Sequence, residues 1–192
     1  MGSLARGTRF FIITGRPGVG KTTLFSKILQ RLQRQGVKLA GFVCPEVRVE
    51  GRRVGFRIIS IDGKIERWLA HVSLCAGPRV GKYFVCSEAS DVAVYVRSAL
   101  ENADLVAIDE IGPMELKVPA LRELITDVLG SGKPGLLVVH RGIVSGGNRI
   151  GNLLKSHGEV YVVNEANREE LVELIYSRLV SALKAGAGPA NI

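Results

Sequence analysis

The chain is constrained first by eight residues near its start: Gly15-Arg16-Pro17-Gly18-Val19-Gly20-Lys21-Thr22. They read G-x-x-x-x-G-K-T, a spacing at which glycines let the backbone curl and point successive N–H groups at one centre, where a side chain would block close approach. Such a cradle binds phosphate. Lys21 adds a mobile positive charge for β- and γ-phosphates, and the Thr22 hydroxyl suits one position on Mg²⁺. The flanks agree. Residues 9–14 (R-F-F-I-I-T) are an apolar, β-prone run, and Leu24, Phe25, Ile28, Leu29 and Leu32 then recur at helical spacing until Gly36. Strand, glycine loop and helix is the arrangement the motif needs, and the helix N-terminus adds its own attraction for anions.

A chain of 192 residues with 46% hydrophobic content suffices for one cored α/β domain and is short for two. The expectation is a single domain over 1–192, with residues 183–192 as a flexible tail. The net charge of +8 permits an anionic ligand, but Arg31, Arg34, Lys38, Arg48, Arg52, Arg53 and Arg57 are scattered and aromatics are few, so nucleic acid is not supported as a partner. Cys44, Cys75 and Cys86 are odd in number and lack C-x-x-C spacing. They point to neither a disulfide framework nor a zinc site, and fit a reducing cytosol. The N-terminus has no apolar signal-peptide segment, and no run approaches the ~18 apolar residues of a membrane span. A cytoplasmic monomer without a membrane partner is expected.

The elements follow in order. Residues 37–44 form a second strand ended by Pro45, and 46–53 a charged turn around Gly51. Residues 54–61 and 64–70 form a hairpin across Asp62-Gly63, the turn signal of an antiparallel ribbon added to a parallel α/β pattern. Residues 75–79 read as a turn and 81–85 as a short strand. Ser90-Asp91 is the expected N-cap of a helix with an apolar stripe at Val92, Val96, Ala99 and Leu100. Residues 104–110 are a buried strand ending in two acids. Pro119 opens a helix closed by Gly130, and residues 135–140 are a continuous apolar run suited to a central parallel strand. Residues 141–158 are Gly-rich, basic and expected to be mobile, with a short helix at 150–156. A last strand (159–163) and an amphipathic helix (164–183) complete the chain.

Chemistry needs a second half-site. Mg²⁺ prefers one or two carboxylates, and ligands of open α/β sheets lie outside the carboxyl ends of the strands. Asp109 is therefore the expected metal carboxylate beside Thr22. Glu110 is the candidate for orienting or deprotonating a water that attacks the γ-phosphorus. Thr23, Ile111 and Gly112 extend the nucleotide-binding set. Arg16, Arg141 and Arg149 are candidates for spreading transition-state charge, and His140 for a hydrogen bond to the γ-phosphate or the water. Trp68 and Tyr83 are expected to pack in the core rather than to stack on a base. The same half-sites also suit a small-molecule kinase with an acceptor pocket and a lid, or a binding module switched by nucleotide.

Further blocks carry a family resemblance: Gly41-Phe42-Val43-Cys44-Pro45-Glu46-Val47-Arg48, Gly51-Arg52-Arg53-Val54-Gly55-Phe56, Val80-Gly81-Lys82-Tyr83, Ile108-Asp109-Glu110-Ile111-Gly112-Pro113-Met114-Glu115 and Asn167-Arg168. In this order they resemble the THEP-type nucleoside-triphosphatases, also called cancer-related nucleoside-triphosphatases, over residues 9–179. The resemblance implies slow, Mg²⁺-dependent hydrolysis of ATP, GTP, CTP and UTP. It also implies a P-loop fold with a strand between the loop strand and the acidic strand, and a cleft that includes Glu46, Arg48 and Arg53. The segment Val85-Cys86-Ser87-Glu88 departs from the family pattern, so no role is carried over to it.

Overall fold

The computed structural model describes residues 9–186. Its elements are β1 (Phe10–Gly15), α1 (Lys21–Arg34), β2 (Leu39–Val43), β3 (Glu46–Val49), β4 (Arg52–Ser60), β5 (Glu66–His71), β6 (Arg79–Val80), β7 (Tyr83–Val85), α2 (Ala89–Leu100), β8 (Leu105–Ile111), a 3-10 turn (Glu115–Lys117), α3 (Pro119–Gly130), β9 (Gly135–Val139), α4 (Arg141–Ser145), α5 (Arg149–His157), β10 (Gly158–Val163) and α6 (Arg168–Gly186). The strands form one sheet in the order β10-β1-β9-β8-β2-β4-β5-β7-β6, with β3 paired to β4. From β10 to β2 all pairs are parallel, and from β4 onward all are antiparallel. This is the expected α/β sheet with its ribbon, and β9 is the strand between loop and acidic strands.

Alternation along the central strands builds three layers. Phe10, Ile12, Val106, Ile108, Leu137 and Val139 face one core with α2 and α3, while Phe11, Ile13, Leu105, Ala107, Leu136 and Val138 face the other with α1 and α6. Both faces of these strands are covered, which is why they read as continuous apolar runs. The Thr14 hydroxyl donates to the Val139 carbonyl (2.8 Å) and ties β1 to β9. Gly41, at φ 146°, lies where any side chain would strike the Ala107 carbonyl, so β2 packs directly on β8.

Several local expectations are corrected. Residues 46–49 are not part of a turn but pair with β4, and the reversal is confined to Glu50 and Gly51, both at positive φ. The segment 75–79 is not all turn, since Arg79 begins β6. Helix α2 begins at Ala89, so Ser90 and Asp91 lie within its first turn; Glu88 precedes it, and its carboxylate accepts the Trp68 N–H (2.7 Å). Residues 141–158 are largely helical, because His140 and Asn148 each cap a helix, accepting the N–H of Gly142 (3.1 Å) and of Gly151 (2.8 Å). Helix α6 continues to Gly186, past the expected helix end at 183, and residues 187–192 of the expected tail lie outside the described residues.

The cysteines give the largest correction. Cys75 and Cys86 form a disulfide, with Cα atoms 5.0 Å apart. The sequence spacing hid it because the pairing depends on a backbone reversal. The Gly77 N–H donates to the Val85 carbonyl (3.1 Å) and the Val85 N–H to the Pro78 carbonyl (3.0 Å), which brings the two cysteines together. Cys44 remains a free thiol. A bridge closing so short a loop stabilises by roughly 2–3 kcal/mol. Replacing both Cys75 and Cys86 by Ser is therefore expected to lower the melting temperature by several degrees, as reduction of the wild type should; equal melting of oxidised and reduced protein would contradict this.

Candidate active site

Glycine geometry sets the phosphate loop. Gly15, Gly18 and Gly20 have φ of 151°, 79° and 92°, and Gly20 immediately precedes α1. No side chain caps α1 and its first turn holds no acid, so its free N–H groups and the positive end of its dipole face the loop. The Lys21 ammonium donates to the carbonyls of Arg16 (3.0 Å) and Gly15 (3.3 Å), folded over the loop it would serve.

A cleft of about 910 Å³ opens above this loop. Its lining joins Gly15, Pro17, Gly18, Gly20, Lys21 and Thr22 to Asp109 and Glu110 at the end of β8. Parallel pairing through β9 places both half-sites on one edge of the sheet. The β8–β9 register shifts between Asp109 and Ile111, leaving Glu110 outside the regular ladder. Asp109 is buried, and burial pushes its carboxyl up to about 6 against the opposing Thr22 hydroxyl and Lys21 charge. Burial also raises Glu110, with Lys21 again opposing. A carboxylate and a hydroxyl side by side, both hard oxygen donors, fit Mg²⁺. Among the described residues no cluster of three or more His, Cys, Asp or Glu forms a metal cage. Mg²⁺ bound here would complete its shell with waters and phosphate oxygens.

The other expected residues divide. Glu46 and Arg53 line the cleft, their ion pair spanning 3.1 Å, whereas Arg48 is outside the lining and bonds Glu46 and the Gly51 carbonyl. Arg141 and His140 line the cleft, and the His140 Nδ1 is engaged as the α4 cap. Arg149 is not brought to the site. It lines a smaller pocket between α3 and α5, because α5 carries it away from the strand ends. Ile111 is fully buried in the core rather than facing the cleft, because the register shift at Glu110 sets it opposite Val139, on the same face as Ile108. Arg16, Thr22 and Thr23 are exposed. Tyr83 stands in the cleft wall, edge-on to Phe56 with ring centres 5.2 Å apart, while Trp68 packs on His71.

Residue-by-residue reasoning missed Glu115. It is buried, lines the cleft, and accepts the Gly112 N–H (2.9 Å). A methyl at Gly112 would lie 2.8 Å from Glu115 Oε2 and 3.2 Å from Glu110 Oε1, so the two carboxylates converge beside this glycine. The available signal was a lone acid three residues beyond Gly112, in a segment with no helical or strand period.

The chain-wide comparisons agree with this geometry. A family model described as NTPase matches residues 10–176. The chain is 47% identical to nucleoside-triphosphatase THEP1 of Hyperthermus butylicus over 95% of its length and 97% of that protein. It is 42% identical to THEP1 of Methanocaldococcus jannaschii, covering 90% and 98% of the two chains. The chain belongs to the THEP1 nucleoside-triphosphatase family. Solved THEP1-type structures share the fold. A human cancer-related nucleoside triphosphatase superposes with a TM-score of 0.70 at 31% identity, covering 91% of this chain and 98% of that one. THEP1 of the hyperthermophile Aquifex aeolicus superposes with a TM-score of 0.65 at 27% identity, covering 88% and 98%.

Glu115 gives this THEP1-family cleft a measurable pH signature. Burial first, and the Glu110 charge with it, push its carboxyl up to about 7, against hydrogen bonds from its own backbone, Cys44 and Gly112. Its ordinary value is 4.5. The folded state thus holds the proton more tightly, and the stability this contributes is complete below the ordinary value and lost as pH rises through about 7. Glu115→Gln keeps an acceptor for Gly112 but cannot ionise. It should gain on the wild type by up to roughly 3 kcal/mol between pH about 4 and about 8, read from melts in chelator. A constant difference across that window would mean that folding leaves the carboxyl's affinity for its proton unchanged.

Proposed function

We propose that this cleft hydrolyses nucleoside triphosphates to diphosphate and phosphate with Mg²⁺, slowly and with little preference among ATP, GTP, CTP and UTP. The observation that carries the reading is the placement of Asp109 and Glu110 opposite the phosphate loop in one cleft. The loop N–H groups and Lys21 hold the β- and γ-phosphates, Lys21 leaving its two carbonyl partners to do so. Thr22 and Asp109 would hold Mg²⁺, which neutralises charge on the phosphate oxygens when bound. Glu110 orients the attacking water and takes its proton. The water oxygen bonds to the γ-phosphorus as the bridging bond to the β-phosphate breaks, and the diphosphate leaves with the electron pair. Arg141, in the cleft wall, supplies further positive charge near the transferred group. Contacts to phosphate and metal are common to all nucleotides, so they discriminate little between bases.

The working form is proposed to be a cytoplasmic monomer with one functional domain. Among the described residues no helix is long and apolar enough to cross a membrane. The Cys75–Cys86 bridge does not fit a reducing cytosol and requires a cytoplasm in which intracellular disulfides persist.

One observation favours a second reading, a kinase. The cleft continues past Glu110 to Phe56, Val80 and Tyr83 on the ribbon, leaving room for an acceptor. Product analysis separates the two. Phosphate released from the four triphosphates with Mg²⁺ and no added acceptor is expected, with rates within about a hundredfold of one another. Glu110→Gln should retain nucleotide binding and lose about 10²–10⁴-fold in turnover, and Lys21→Ala should lose binding as well. Unchanged hydrolysis in Glu110→Gln would remove that residue from the chemistry; phosphate transfer only in the presence of an acceptor would establish the kinase.

A further inference from the structure

Arg168 lies on the phosphate loop from the side opposite Glu110. It opens α6 after a turn braced by its own side chains: Asn164 Oδ1 accepts the N–H groups of Ala166 (2.9 Å) and Asn167 (3.0 Å), and Asn167 Oδ1 accepts that of Asn164 (2.9 Å). The Asn167 amide also donates to the Val162 carbonyl (3.0 Å), fixing the turn to β10. From this fixed base the arginine reaches over the loop's last glycine. A methyl at Gly20 would lie 2.7 Å from Arg168 Cδ and 2.7 Å from Nη1.

The guanidinium is incompletely satisfied. Its Nε is buried and has no hydrogen-bond partner, alone in this among the side-chain nitrogens and oxygens of the described residues. The nearby Glu169 Oε1 is 3.7 Å away, too far for a hydrogen bond, and the Glu169 carboxylate is engaged by Lys27 at 2.7 and 2.9 Å. A buried donor left unpaired is costly, and a guanidinium fork matches phosphate oxygens with two parallel bonds.

Direction selects which phosphates. The cleft lining runs from the loop past Glu110 toward β4 and β7, and includes no residue of the β10–α6 turn. In-line displacement places the attacking water and the departing diphosphate on opposite sides of the γ-phosphorus. With Glu110 on the water's side, the diphosphate and its nucleoside lie toward β10, where Arg168 stands. We propose that Arg168 is a nucleotide-binding residue that grips the α- and β-phosphates, those retained in the diphosphate product. This rests on the reading of the cleft as a nucleoside-triphosphate site.

Binding with Mg²⁺ present, followed by calorimetry, tests it with ADP, a non-hydrolysable ATP analogue and inorganic tripolyphosphate. Arg168→Ala is expected to weaken all three by a similar ~10–100-fold, and Arg168→Lys by less, since it keeps the charge but loses the fork. Melting temperatures of both variants monitor folding. Binding by folded Arg168→Ala within twofold of wild type overturns the inference. So does a loss for the two nucleotides with tripolyphosphate unaffected, because that pattern marks stacking on the base. Lys21→Ala separates the two levels: if it binds nucleotide like wild type, the site reading itself fails; if it is impaired while Arg168→Ala is not, only the role of Arg168 falls.

Discussion

The structure depends on the parallel pairing of β1, β9 and β8. Parallel strands all end on the same edge, so one set of backbone hydrogen bonds brings the phosphate loop and the acidic pair, far apart in sequence, to a single cleft. β9 supplies little chemistry of its own. It is the spacer that fixes how far Lys21 and Thr22 stand from Asp109 and Glu110, and Thr14 fastens the first strand to it with a side-chain hydrogen bond. Both faces of the trio must be covered for such a sheet to persist, and α1 with α6 on one side and α2 with α3 on the other provide that cover.

The same pairing explains what was legible in the sequence. The glycine loop, the apolar strands and the Asp109-Glu110 pair could be read because each is a local signal: a spacing, a period, or a run that ends abruptly. What escaped depends on tertiary placement. Arg149 and Arg141 are indistinguishable as sequence, and only the path of α5 separates them. Ile111 follows the two candidate acids but turns into the core, since a register shift at Glu110 sets it opposite Val139. The Cys75–Cys86 bridge needed knowledge of the reversal at Gly77 and Pro78. Residues 141–158 look irregular because of their glycines, yet a capping side chain for each helix and the burial of Ile143 and Leu154 against the core order them.

The ribbon is built on different terms. Its strands pack on the core through Ile58, Leu69 and Val85 and carry exposed ion pairs such as Arg57–Glu66 and Arg67–Asp91, each worth little alone. The disulfide adds a covalent brace near its far edge. Because Phe56, Val80 and Tyr83 form the far wall of the cleft, this supplementary bracing bears directly on the shape of the site.

Gly112 concentrates another dependence. Its backbone N–H anchors Glu115, and the space beside its α-carbon is shared by the oxygens of Glu115 and Glu110. Two acids of the cleft are thus keyed to one missing side chain. A larger residue at position 112 would press on both carboxylates at once, so this position couples the two acids rather than adjusting either alone.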